Sequence, residues 1–159
     1  MKNDKTDNHE QLFWEEIDRL FPDMIKAIAS LSKKSYLSIT NLRTGITWWS
    51  EQAMDYFGMK ENYTIRGMEK ANRKIHPDDV ATFKRGFKER VDGKNLDTAW
   101  EYRIQDGDSY NRFNAMARVL YDEQKQPFII IIRYDNYGIS DEVDSVTGLY
   151  TEPALNRCI

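Results

Sequence analysis

Residues 99–110 read Ala99-Trp100-Glu101-Tyr102-Arg103-Ile104-Gln105-Asp106-Gly107-Asp108-Ser109-Tyr110. Trp100, Tyr102 and Ile104 alternate with Glu101 and Arg103, the period of a half-buried strand, and Asp106-Gly107-Asp108-Ser109 has the composition of a hairpin turn. The return strand is predicted over residues 110–121. It puts Phe113, Ala115, Ala117 and Val119 on one face and Asn114, Met116, Arg118 and Leu120 on the other. A polar loop, residues 122–126, leads into Pro127-Phe128-Ile129-Ile130-Ile131-Ile132-Arg133-Tyr134-Asp135. That run is apolar on both faces, as a central strand covered on both sides must be.

Upstream of the hairpin, His76-Pro77-Asp78-Asp79 marks a helix start. Proline is pre-set for the first helical position, and the two acids oppose the positive end of the helix dipole. Val80, Phe83, Phe87 and Val91 continue at helical spacing and Gly93 follows, which predicts a helix over residues 77–91. Further back, strands are predicted at 36–40 and 45–50, joined by a hairpin loop at Asn41–Gly45. Ser50 is placed to cap a short helix carrying Ala53, Met54 and Phe57 and ended by Gly58. Residues 59–75 have no sustained period and are read as short helices. Trp48 and Trp49 straddle a strand, so one points inward and the other outward. Phe13, Ile17, Leu20, Met24, Ile28 and Leu31 form a helical stripe, interrupted by Pro22, which implies a kink or a second helix beginning there. Residues 1–8 carry nothing to pack and are expected to be a disordered tail, with an N-terminal helical segment over 9–34.

The order of elements, strands and helices in separate runs, argues for an α+β fold. At 159 residues the chain suits one domain with tails. Its 23 Lys and Arg against 26 Asp and Glu leave a net charge of −3, with no general attraction to nucleic acid or anionic membrane. No apolar run approaches the roughly 20 residues of a membrane span, and the N-terminus lacks a signal-peptide core; a cytoplasmic location is expected. The single cysteine, Cys158, rules out an intrachain disulfide and a cysteine-based zinc site. The two histidines, His9 and His76, rule out a multi-histidine metal site.

This order resembles a PAS domain over residues 36–135, with the domain bounds drawn at 35–135. The resemblance rests on His76-Pro77-Asp78-Asp79, Glu101-Tyr102-Arg103, Asp106-Gly107 and the Ala115-x-Ala117 strand leading to Asp122-Glu123. It implies a five-stranded antiparallel sheet with helices on one face, here preceded by an N-terminal amphipathic helix. The family usually ends its last strand in Asp-Ile-Thr, of which only Asp135 is present. A second resemblance covers the tail: Asp144-Ser145-Val146-Thr147-Gly148-Leu149-Tyr150 looks like the opening of a GGDEF domain, the diguanylate cyclase module. Val146 stands for a leucine, and Thr151-Glu152 for the usual Asn-Arg. It implies that residues 144–159 begin an output domain whose catalytic part is not in this sequence, and that residues 136–143 are a linker. Gly138 is expected to break the strand, with a short helix starting at Ser140 or Asp141.

For a ligand, the candidate face is Trp100, Tyr102, Phe113, Ala115 and Ala117 of the sheet, opposed by Met54, Phe57 and Met68. Small alanines beside large aromatics either leave a pocket for a small molecule or let a helix approach closely. His76 is read as a helix cap rather than a haem ligand, and flavin–cysteine chemistry is excluded because Cys158 lies outside the domain. No catalytic residue and no metal site are assigned, and no cofactor is identified. Asp135 and Gly138 are the candidate signal-coupling residues. The expected partners are a second copy, through the N-terminal helix or a sheet face, the following GGDEF domain, and a small ligand; a ligand-free dimerisation scaffold is the competing reading.

Overall fold

The computed structural model describes residues 4–33 and 35–139. The chain divides into two units, Met1–Lys33 and Lys34–Ile159. In the first, α1 (Asp4–Ile17), a single 3-10 turn (Asp18–Leu20) and α2 (Phe21–Ser30) follow one another. Pro22 sits in the first turn of α2, so the second of the two alternatives for Pro22 holds: a new helix starts there. Helix α1 begins at Asp4, inside the stretch expected to be a tail. Phe13, Leu20, Ile28 and Leu31 of the stripe are exposed.

The second unit is built on a six-stranded antiparallel sheet, β1 (Ser35–Asn41), β2 (Ile46–Trp49), β3 (Tyr63–Ile65), β4 (Trp100–Asp106), β5 (Ser109–Tyr121) and β6 (Pro127–Ile139). Their order across the sheet is β3-β2-β1-β6-β5-β4. The sixth strand, β3, corrects the expectation of five. Three residues are too few to show a period of two, and β3 is defined by its pairing, Ile46 with Ile65 and Trp48 with Tyr63. Asn62 adds a clasp, its carbonyl accepting from the Trp49 N–H at 2.8 Å and its amide donating to the Trp49 carbonyl at 2.9 Å. Strand β6 is central, paired with β1 on one side and β5 on the other.

The helices α3 (Glu51–Phe57), α4 (Gly67–Asn72) and α5 (Val80–Val91) cover one face. Ser50 caps α3, accepting from the Ala53 N–H, and Gly58 ends it. His76 Nδ1 accepts from the Asp78 N–H at 3.1 Å, capping a 3-10 turn (Pro77–Asp79) that feeds α5. The buried face of α5 is Phe83, Gly86 and Arg90, rotated from the expected Phe83-Phe87-Val91 stripe, whose last two members are half-buried. Counting apolar residues misses this face because one of its members has no side chain and another is charged. Trp48 and Trp49 do point to opposite faces, yet both are buried.

The linker expected at 136–143 does not begin after Asp135, because β6 continues to Ile139. Strand β5 is equally long and offers partners, pairing Phe113 with Asn136 and Asn111 with Ile139. Gly138 therefore does not end the strand. Its φ of 88° lies at the register shift between Asn111 and Phe113, where the extra residue is absorbed as a bulge. The expected helix from Ser140 and the GGDEF-like residues lie outside the described residues. Among the described residues, no helix is long and apolar enough to cross a membrane.

Candidate functional site

The sheet brings all eight predicted residues to its helix-covered face. Trp100, Tyr102, Phe113, Ala115, Ala117 and Phe57 are buried in one cluster, with Met54 and Met68 packed against it. Across the strands Trp100 pairs with Ala115, and Ala115 in turn with Tyr134; Tyr102 pairs with Phe113. The methyl of Ala115 is thus flanked by two large rings, one from each neighbouring strand.

Two aromatic groups form around this row. Phe113 meets Tyr56 edge-on at 5.2 Å, Tyr36 lies 5.9 Å from Phe113, and Phe57 bridges Trp49 at 5.1 Å and Tyr134 at 5.6 Å. On the β4 side, Phe83 stands edge-on to Tyr102 at 4.9 Å, and Trp100 lies 5.8 Å from Tyr102. Helix α5 approaches Trp100 so closely that a β-carbon on Gly86 would lie 2.9 Å from Trp100 Cδ1. The close approach of α5 to the sheet is thus made through a glycine on the helix rather than through the alanines on the strand.

The face is also more polar than its aromatics suggest. The Ser38 hydroxyl donates to the Tyr134 hydroxyl at 3.2 Å, Tyr134 donates to Met68 Sδ at 3.7 Å, and the Thr40 and Thr47 hydroxyls pair at 2.8 Å. Burial pushes the phenols of Tyr102 and Tyr134 upward, so both remain protonated donors. Tyr56, held by the Asn111 amide at 2.9 Å, is pushed up to about 12, burial outweighing that hydrogen bond. Arg90, which the sequence reading passed over, is buried beneath Trp100, its Cζ 4.2 Å from the ring centroid. Its Nη1 donates to the Gly86 carbonyl at 3.2 Å and its Nη2 to the Thr98 carbonyl at 2.5 Å. The signal that would have found it is its place at helical spacing from Phe83 and Gly86.

The two coupling candidates sit on β6. Asp135 accepts from the Ser35 hydroxyl at 2.6 Å and from Arg133 at 3.2 Å, so it fastens the last strand to the first. Gly138 donates its N–H to the Asn136 side chain at 2.8 Å. Met116, Ala117, Arg118, Ile131 and Arg133 line an open concavity of about 260 Å³. Arg118 there is bonded to the Leu96 carbonyl at 2.6 Å and to Asp97 at 3.1 Å.

The sequence matches the family model of the PAS fold over residues 46–132. The chain belongs to the PAS family. Among solved structures, a sensory box histidine kinase/response regulator from Burkholderia thailandensis is similar at 16% identity and a TM-score of 0.60, over 84% of this chain and 98% of that one. The N-terminal domain of a diguanylate cyclase with PAS/PAC sensor from Marinobacter aquaeolei matches at 15% identity and a TM-score of 0.53, over 66% of this chain and 96% of that one. A PAS domain from Colwellia psychrerythraea matches at 16% identity and a TM-score of 0.52, over 75% of this chain and 98% of that one. At these identities the likeness is one of fold. No curated protein matches the sequence. PAS domains are sensor modules rather than catalysts.

Proposed function

We propose that this chain is a sensory and regulatory PAS domain of a bacterial signalling protein, acting in the cytoplasm. It holds a small ligand on its helix-covered sheet face and thereby controls a diguanylate cyclase joined to its C-terminal side. The observation that carries the reading is the double role of β6. Tyr134 of that strand packs on Phe57 inside the candidate site, and Asp135 fastens the same strand to β1. The strand then runs out toward the GGDEF-like residues 144–150. A ligand that repositions Tyr134 would move the strand that leads to the output domain, which is the differential contact a regulatory equilibrium requires.

A ligand-free dimerisation scaffold for the same output domain is the second reading. The exposed stripe Phe13, Leu20, Ile28 and Leu31 favours it, since so much apolar helix surface calls for a partner. Native mass spectrometry of the purified chain separates the two: a retained small molecule supports the sensor, and a dimer with none supports the scaffold. Coupling is tested in the full-length protein by inserting one to four residues after Ile139. Cyclase regulation that follows helical phase, partly restored near four residues, supports transmission through a helix. Regulation indifferent to insertion length would mean a loose tether.

A further inference from the structure

The two edges of the sheet are finished differently. Along β4, residues 74–79 take up the outward backbone. The Gln105 N–H donates to the Lys74 carbonyl at 2.8 Å, the Arg103 carbonyl accepts from the His76 N–H at 2.9 Å, and the Arg103 N–H donates to Asp79 at 2.8 Å. Strand β3, at the other end of the strand order, has no such cover among the described residues. It is bonded to β2 through Asn62, which accepts from the Trp49 N–H, and through Arg66, which donates to the Gly45 carbonyl. In an antiparallel ladder every second residue bonds to the neighbouring strand, so between them Thr64, opposite Thr47, also faces β2. Tyr63 and Ile65 therefore turn their N–H and C=O outward from the sheet. Their side chains are 61% and 67% exposed, with the half-exposed Ile46 across from Ile65. Apart from its shortness, Tyr63-Thr64-Ile65 carries none of the devices that keep an edge from pairing: no charge, no proline and no bulge.

We infer that β3 is a docking edge for β3 of a second copy of this chain, the two strands pairing antiparallel about Thr64. The edge is self-complementary in that arrangement. Each Tyr63 stands opposite the second copy's Ile65, an aromatic against a β-branched side chain, and the twofold axis makes this favourable cross-strand pair twice. The same residues exchange backbone hydrogen bonds, which satisfies every outward N–H and C=O of Tyr63 and Ile65. Glu61 precedes the strand and Arg66 follows it, both exposed, so antiparallel pairing brings the acid of each copy beside the base of the other. A parallel arrangement would set acid against acid and base against base. Three residues a side make a small contact, of the transient class below about 1,200 Å², so the association is weak and reversible. It needs no ligand and does not use the N-terminal stripe, and so stands apart from both functional readings.

The test is amide hydrogen exchange of the 159-residue chain, followed by NMR from about 50 μM to about 1 mM. The Tyr63 and Ile65 amides should gain protection of about threefold or more with concentration, while the Thr64 amide, bonded to β2 in either state, stays unchanged. In a Cys158→Ser background, Thr64→Cys should form a disulfide between copies under mild oxidation, because opposed residues of a non-hydrogen-bonded pair lie about 4.5 Å apart at Cα, within disulfide reach. Glu123→Cys, in the loop between β5 and β6, should not. Glu61→Arg and Arg66→Glu should each weaken association about threefold to tenfold, and the double variant should restore it, a pattern that loss of fold cannot produce. Exchange at Tyr63 and Ile65 that is independent of concentration, no disulfide from Thr64→Cys, or a double variant no better than either single one overturns the inference. A dimer seen by light scattering whose Tyr63 and Ile65 amides stay unprotected overturns it while leaving the scaffold reading intact.

Discussion

Replacing Asp79 by alanine is the sharpest test of how the helix layer is fixed to the sheet. Asp79 Oδ2 accepts from the Arg103 N–H and Nε, each at 2.8 Å, and Oδ1 accepts from Nη2 at 2.9 Å. Both side chains are more than four-fifths buried, 19% and 17% exposed. An exposed pair would contribute about 0.2–1 kcal/mol, and breaking a fully buried one costs about 3–5 kcal/mol. With most of its surface buried and a backbone N–H also losing its bond to the carboxylate, Asp79→Ala should cost about 2–3 kcal/mol. For a unit of this size that is a fall in Tm of about 8–12 °C, read by calorimetry or circular dichroism. The carboxyl is held below its usual range chiefly by its hydrogen bonds to the Arg103 side chain, with a smaller push from His76. A depressed folded-state pKa gives stabilisation that is complete above the unfolded pKa of about 4 and is lost as pH falls through the folded value. The difference between parent and Asp79→Ala should therefore be full at pH 7 and shrink below about pH 4. In a double-mutant cycle Asp79→Ala and Arg103→Ala should cost together clearly less than their sum. A Tm change under about 2 °C for Asp79→Ala, or strict additivity in the cycle, would refute the reasoning.

Gly86→Ala should destabilise despite the better helix propensity of alanine. The new methyl meets Trp100 at 2.9 Å, and overpacking of about 1–3 kcal/mol outweighs a propensity gain of about 1 kcal/mol; a raised Tm would show that Trp100 can move aside. Phe13→Asp or Ile17→Asp should lower stability or dissociate a dimer, because a carboxylate on a face that becomes buried must be desolvated or protonated; unchanged melting and unchanged mass by light scattering for both would leave the helical stripe without a partner. The 159-residue chain should make no cyclic di-GMP from GTP and magnesium, and detection of product by chromatography would show that the output resemblance was misread.

What the sequence revealed depended on which physical signal each element carries. The β4–β5 hairpin was legible because Trp100-x-Tyr102-x-Ile104 alternates and Asp106-Gly107 turns. The centrality of β6 was legible because Ile129 to Ile132 leaves no polar face. Strand β3 was hidden, since Tyr63-Thr64-Ile65 is shorter than any countable period. The strand's continuation past Asp135 was hidden because Gly138 reads as a stop unless its bulge opposite Asn111 and Phe113 is known. At the candidate site the apolar residues were found and the polar ones were not: Arg90 reads as a solvent-facing cation until Trp100 is seen lying on it, and Gly86 reads as a weak helix position until its closeness to that ring is measured.

The pairing of β1 with β6 joins Ser35 to Asp135, so the sheet's middle seam is closed by its most distant strands. During synthesis on the ribosome, β1 and β2 emerge early as a hairpin; β3 soon pairs with β2, but the edge of β1 has no partner until residues 127–139 have cleared the exit tunnel. Through that interval Leu37, Ile39 and the two tryptophans of β2 belong to an incomplete sheet, the kind of species that aggregates or recruits holding chaperones. Closing a loop of this length before its contacts reward it also places the domain among slower folders. A stalled-ribosome series should accordingly find protease resistance arising in one late step, when β6 becomes available, rather than strand by strand.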